Sequence, residues 1–252
     1  MPSILVQKTA EDFKGTEKLV PIYPSVVDIQ SPPAPAFKYL LARGKKKNIL
    51  VIVPSGAEKK KLLAENHVNA EYPEANGYTV FVKKLEGVAS GVGEQPYDHA
   101  GQEGAQNRIK NAITEMSNSM EVLRFIQNNK VGEVLVISIE NFIRREGRER
   151  PVDIGVIAIH SVVSGKTKAR LSEGVSIHPA IVDQARERGL AHPNDDCALG
   201  HPDTACNHGK VTIGGILAEI YSGVDKSNWH EVAIGISRWK ILFDTLCRMP
   251  CG

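Results

Sequence analysis

The chain has 252 residues, 42% of them hydrophobic and 24% charged, which suits one large globular domain with its own core or two small ones. Its 31 basic and 29 acidic residues leave a formal charge of +2, so no overall field argues for nucleic acid or a membrane surface as partner. No apolar run approaches the roughly 20 residues that span a bilayer, and the N-terminus MPSILVQKTAEDFKG has neither the apolar stretch nor the cleavage site of a secretory signal. Cys197, Cys206, Cys247 and Cys251 crowd the last quarter instead of framing a small secreted domain, so a reducing, cytoplasmic setting is expected.

Residues 1–45 read as an irregular, proline-rich extension ahead of a domain over 46–252. Pro21, Pro24, Pro32, Pro33 and Pro35 forbid regular helix there, apart from one turn at 37–42. The basic run 43–47 reads as a solvated loop. Asn48–Val53 (NILVIV) is a buried strand by its β-branched run. A helix over 57–66 follows, with Ser55 as N-cap and Glu58 completing a capping box. A second strand is expected at 78–85, a Gly- and Pro-rich loop at 87–104, and one long helix at 104–128 with an apolar stripe from Ala105 to Ile126. Strands at 134–139, 154–159 and 169–176 come next, then a helix Pro179–Gly189, a His/Cys/Asp-rich loop at 190–210, and helical patterns at 211–222 and 228–247. Strands alternate with helices early and then meander, which predicts an α/β fold with a mixed central sheet flanked by helices.

The most informative stretch is Ser90-Gly91-Val92-Gly93-Glu94-Gln95-Pro96, followed by Gly104-Ala105-Gln106-Asn107-Arg108 and Asn111-Ala112. A glycine-bearing loop brings backbone N–H groups close to a ligand, and a helix N-terminus behind it favours negative charge. Gln95, Asn107 and Arg108 are candidate side-chain donors, and Asn107 serves equally well to hold the loop on the sheet. The stretch resembles the inosine/xanthosine triphosphatase family, whose loop reads S-G-V-x-x-Q-P and whose helix opens G-A-x-N-R-x-x-N-A. The resemblance implies that family's fold and a pocket between loop 87–104, the helix start at Gly104, the turn at Ser55 and the strand end at Glu140.

The resemblance extends to Val53-Pro54-Ser55-Gly56-Ala57-Glu58-Lys59, where the family has T-N-x-x-K around the triphosphate, with Gly56 here replacing the Asn. It also covers Val136-Ile137-Ser138-Ile139-Glu140, a strand ending in an acidic residue. Here Phe142 stands where the family is small, and is expected to fill part of a nucleotide's space. Where the family carries Glu-Thr, His99-Ala100-Gly101 has no carboxylate. A proline-rich coiled-coil protein branch of the superfamily is more similar still. It shares Glu140-Asn141-Phe142-Ile143, Asp153-Ile154-Gly155, Val211–Leu217, Asn228-Trp229-His230 and Ser237-Arg238, and together the matches span roughly 48–245. That branch implies secretory-pathway and kinase-regulatory roles more than nucleotide hydrolysis.

Releasing pyrophosphate from a nucleoside triphosphate needs Mg²⁺ on carboxylates, cations on the phosphates and an oriented water. On the resemblance, Glu140 is the metal ligand or base, with Asp98 and Glu103 as substitutes for the missing carboxylate. The ligand and phosphate-binding set is Ser55, Lys59, Lys60, Ser90, Gly91, Gln95, Asn107, Arg108 and His230. The expectation is a divergent member that binds a nucleotide-like or other acidic small molecule, with triphosphate hydrolysis weak or lost. A working Mg²⁺-dependent inosine/xanthosine triphosphatase and an enzyme of different chemistry in the same pocket are the alternatives. A homodimer is implied, and a protein partner is left open.

Other constellations read more plainly. His192, Cys197, His201, Cys206 and His208 fall within 17 residues but match no zinc-finger spacing, so an ordinary polar loop is expected and zinc is not. Cys247 and Cys251 are not expected to form a redox pair. Lys226 and Arg238 read as solvated, with contact to an acidic ligand as the alternative; the arginines at 144, 145, 148 and 150 read as a solvated loop, with partner binding second, and Trp229 as core.

Overall fold

The computed structural model describes residues 8–42, 44, 47–190 and 207–251. Strand β1 (Lys8–Thr9), helix α1 (Ala10–Phe13) and strands β2 (Leu19–Val20) and β3 (Val26–Val27) precede a 3-10 turn at Ala36–Leu40. This lead-in is irregular between its short elements, as its prolines require, yet it is built into the domain. Ile22, Ile29, Phe37 and Leu41 enter the main core, and Phe13 packs against Trp229 and Tyr221.

Strand β4 (Asn48–Val53) has the bounds its composition predicts. Helix α2 runs Glu58–Glu71, later and longer than expected. Ser55 is not its N-cap. Ala57 takes that place without a side-chain cap, while the Ser55 hydroxyl accepts from the Ala57 N–H at 3.2 Å. Glu58 is drawn outward to Lys84 at 3.0 Å. Strand β5 (Thr79–Lys84) and the two-residue β6 (Gln95–Pro96) follow.

The expected helix at 104–128 is two helices, α3 (Ala100–Asn118) and α4 (Met120–Asn128). Ser119 breaks it by turning extended, and its hydroxyl accepts from the Val122 N–H at 3.3 Å, a serine cap overriding the apolar periodicity. At the other end α3 starts four residues before Gly104. Strands β7 (Glu133–Arg144), β8 (Val152–Ser161) and β9 (Lys166–Ser176) are longer than their apolar cores suggest, because cross-strand pairing carries them through polar residues. Helix α5 (Pro179–Gly189), β10 (His208–Gly209), α6 (Ile213–Ile220), β11 (Tyr221–Ser222), α7 (Trp229–Ile234) and α8 (Arg238–Leu246) complete the chain. The last two replace one expected helix, broken at Gly235 and restarted by the Ser237 hydroxyl, which accepts from the Lys240 N–H.

The central sheet is mixed, in the order β2-β9-β8-β7-β4-β5, with β3 also on β9. β4 is parallel to β5 and β7, and β8 is antiparallel to both β7 and β9. Side chains alternate between two cores. Leu50, Ile52, Val134, Val136, Ile154 and Val156 meet α3 residues such as Ile109 and Met116. Ile49, Val51, Leu135, Ile137, Ile157 and Ile159 meet Leu63 and Val68 of α2 and Leu242 and Leu246 of α8. Among the described residues, no helix is long and apolar enough to cross a membrane.

Phe142 belongs to the α3 core and is 2% exposed. It lies against Gly101, where an added Cβ would sit 2.2 Å from the ring, so the glycine makes room for the phenylalanine.

Asp98 has a structural task of its own. It is 4% exposed and sits at φ 49°, a left-handed conformation that Asp tolerates. Its carboxylate accepts from the Arg145 N–H at 2.6 Å, the Glu146 N–H at 3.1 Å and the Arg145 guanidinium at 2.7 Å. These bonds close the turn between β7 and β8. Asp98→Ala is expected to lower unfolding free energy by about 3 kcal/mol, since it strips a buried ion pair of one partner, while leaving ligand affinity at Glu140 unchanged. Urea denaturation and calorimetric titration check the two halves.

His160 on β8 is 1% exposed and bonded through Nδ1 to the Thr167 hydroxyl at 3.0 Å. Burial, with Lys38 nearby, pushes its imidazolium down to about 4. An unfolded histidine takes up its proton near pH 6.5, so stability is full above that value and falls as pH drops toward the folded value. The loss is expected to reach about 3 kcal/mol at pH 4, and His160→Gln should flatten that part of the urea-stability profile.

Candidate functional site

The cleft arises from unequal strand lengths. β4 pairs with β7 through Ile52 and Val136, but β7 continues to Arg144. Its edge is next covered by a bridge between Ile143 and Tyr97. Ser138–Asn141 therefore run along an open edge at the carboxyl ends of the parallel strands, where open α/β sheets place ligands. Side chains from both faces reach this gap. Glu140 points to the α3 side, while Asn141 and Asp153 point to the α8 side.

The cleft has a volume of about 730 Å³, within the range of small-molecule sites. Loop 87–95 forms one wall. Lys60, Arg108, Glu140 and Asn141 form the floor. Thr212, Ile213 and Gly214 at the start of α6, the loop around Lys226, and Arg238 form the far wall.

The floor is an ion cluster. Arg108 Nε donates to Glu140 Oε1, and its Nη1 donates to the carbonyls of Pro54 at 3.0 Å and Val88 at 2.8 Å. Lys60 Nζ donates to the Ile139 carbonyl at 2.6 Å, satisfying the open edge of β7, and lies 3.8 Å from Glu140 Oε2. Burial pulls the Lys60 ammonium below the usual lysine range. Glu140 opposes this, while Arg238 and Arg108 add to it.

The loop wall is held by α3. Asn107 Nδ2 donates to the Ser90 carbonyl at 2.8 Å and Asn111 Nδ2 to the Ala89 carbonyl at 3.0 Å. Of the two roles open to Asn107, this is the loop-holding one. Gly91 and Gly93 take left-handed φ of 75° and 74° there, and a Cβ on Gly93 would strike the Gly209 carbonyl at 2.6 Å. Gln95 joins the two walls, its Oε1 accepting from the Ile213 N–H at 3.0 Å.

Behind the cleft, Asp153 and His230 form a buried pair, Oδ2 to Nε2 at 3.2 Å. Burial pushes the Asp153 carboxyl up, but the His230 bond and the nearby Arg238 outweigh it, so it stays ionised and below the usual range. Burial lowers His230 more than Asp153 raises it, so the imidazole is neutral. Its proton then sits on Nε2. That leaves Nδ1 an acceptor without a partner among the described residues, and Asn141 Oδ1 and Arg238 Nε are buried and unpartnered too. Trp229 stacks on His230, ring centroids 4.0 Å apart.

The expected site residues thus divide. Lys60, Ser90, Gly91, Gln95, Arg108 and Glu140 come together on the cleft. His230 lies behind it. Ser55 only shapes its turn, and Lys59 reaches over the Trp239 ring at 5.0 Å. Asp98 closes the hairpin. Glu103 sits half-exposed 4.0 Å from His208 Nε2. Neither acid joins Glu140: Asp98 is held by Arg145 and the Glu146 N–H, and Glu103 lies beside His208. Asn141, Asp153 and Thr212 line it unforeseen, and Lys226 and Arg238 line it as the less favoured of their two readings, contact with an acidic ligand, would have them. Lys226 and Arg238 read as solvated because nothing local shows that α7 and α8 close the far wall. Of the His/Cys cluster, His192, Cys197, His201 and Cys206 lie outside the described residues, and among the described residues no group of three or more His, Cys, Asp or Glu could hold a metal ion.

No family model and no curated protein matches the chain. Among solved structures, the crystal structure of protein VC0702 from Vibrio cholerae is similar, with a TM-score of 0.54 and 13% identity over 79% of this chain and 91% of that one. At that identity the likeness speaks for the fold alone, and the fold is α/β with a mixed central sheet flanked by helices.

Proposed function

We propose that the cleft binds a nucleotide-like or other acidic small molecule and that triphosphate hydrolysis in it is weak or lost. The observation that carries this reading is the state of Glu140. The one carboxylate at the expected metal position is bound by Arg108 and faced by Lys60, while Arg238 and Lys226, which also line the cleft, make no salt bridge among the described residues. Such a floor offers charge to an anion and little to a cation. The start of α6 lies on the far wall and adds the positive end of a helix dipole there.

Mg²⁺ asks for near-octahedral oxygen ligands, usually one or two of them protein carboxylates. The donor set here does not fit it. Glu140 is compensated, Asp98 and Glu103 are elsewhere, and Asp153 is bonded to His230 on the opposite face of the sheet. One observation favours the house-cleaning triphosphatase reading, namely that Glu94 and Asp153 bring further carboxylates to the same cleft.

The test incubates the full chain with inosine, xanthosine and ordinary triphosphates plus Mg²⁺, and measures pyrophosphate and phosphate release beside Glu140→Gln. Saturable nucleotide binding by calorimetry with no release above the variant is expected. Release that Glu140→Gln abolishes would make the protein a hydrolase. The reading extends to a cytoplasmic protein, as the placement of its cysteines suggests, and to a homodimer, as the family resemblance implies; a single-chain mass in light scattering at working concentration would remove the dimer from it.

A further inference from the structure

We propose that Glu140 is a built-in occupant of an anion seat formed by Lys60 and Arg108, and that a phosphate group of the ligand takes this seat by displacing the carboxylate, without a metal ion. The proposal deepens the acidic-ligand reading and rests on it.

The argument turns on which members of the cluster are fixed. Arg108 is anchored by two backbone carbonyls, those of Pro54 at the end of β4 and Val88 in the loop wall. Lys60 is anchored by a third, that of Ile139 on the open edge of β7. Both cations keep these partners whatever Glu140 does. The Glu140 side chain, by contrast, has Arg108 and Lys60 as its partners and no hydrogen bond to the backbone among the described residues. It also lines the cleft, so open space lies beside it.

Carbonyl oxygens satisfy N–H groups but cancel no net charge. Two half-buried cations without a counter-ion would be costly. The chain supplies one carboxylate in place of a ligand. A guanidinium fork beside an ammonium is the donor set that recognises phosphate oxygens. A phosphate group carries up to two negative charges where Glu140 carries one, and Arg238 stands near enough to Lys60 to be felt electrostatically. The seat therefore suits a phosphate better than its resident carboxylate. Displacing that resident lowers the apparent affinity by the fraction of molecules in which the seat is already clear. Neutralising Glu140 should then tighten binding, whereas a carboxylate that held a bridging metal would weaken binding when neutralised.

Pyrophosphate serves as the probe, titrated calorimetrically into the full chain in EDTA and again in Mg²⁺. Glu140→Gln is expected to bind it about 10-fold more tightly than wild type in EDTA, Lys60→Met more weakly, and Glu140→Asp, shorter by one methylene with its charge kept, in between. Thermal denaturation of each variant confirms folding, and Glu140→Asp carries the test if Glu140→Gln does not fold. Equal or weaker binding by Glu140→Gln, or wild-type binding that requires Mg²⁺, overturns the proposal. A parallel titration with inosine triphosphate separates the two levels. If nucleotide binds wild type and Glu140→Gln alike, the displacement falls and the acidic-ligand reading stands. If neither pyrophosphate nor nucleotide binds any variant, both fall.

Discussion

Everything at the site depends on one mismatch in length. β7 has 12 residues and the parallel strand beside it has 6. A strand that outruns its neighbour leaves N–H and C=O groups facing outward, and buried backbone groups must find partners. Lys60 answers for one of them and is thereby pulled under the sheet edge. Arg108 answers for the ends of the adjoining strand and loop. The cations that define the floor are there first as backbone partners, and their charge is a by-product that Glu140 balances.

This origin explains the mixture of acid and base in so small a space. Glu140 and Asp153 lie on opposite faces of adjacent strands, so each answers to a different layer, one to α3 and the other to α7 and α8. Where the sheet is whole, such residues would never meet a common ligand. At the open edge they share a cleft, with the α6 start and the Lys226 loop closing the far side.

The middle of the sheet was legible because β4, β7 and β8 hold continuous apolar runs. Asn48–Val53 and Pro179–Gly189 carry their own boundaries in composition. The floor of the cleft was legible too, through Lys60, Arg108 and Glu140. What could not be read locally was the break at Ser119, where a hydroxyl outweighs periodicity, or the start of α3 at Ala100. The bulk of Phe142 was visible, but not the bare Gly101 beneath it. Contacts such as Gln95 with Ile213, separated by 118 residues, leave no local trace.

The pairing of β2 and β3 with β9 carries a consequence for the solubility of the fold. β9 has 11 residues, and its outer side is met by two strands of two residues each. Cis-bonded Pro24 lies between them. A long, straight row of unpaired amides is a template on which another chain can add a strand, and short, proline-interrupted pieces are a poor one. The N-terminal segment thus acts as a guard against intermolecular sheet growth. A chain cut back to its strand-and-helix core would keep the cleft residues but expose that template, and would be expected to aggregate.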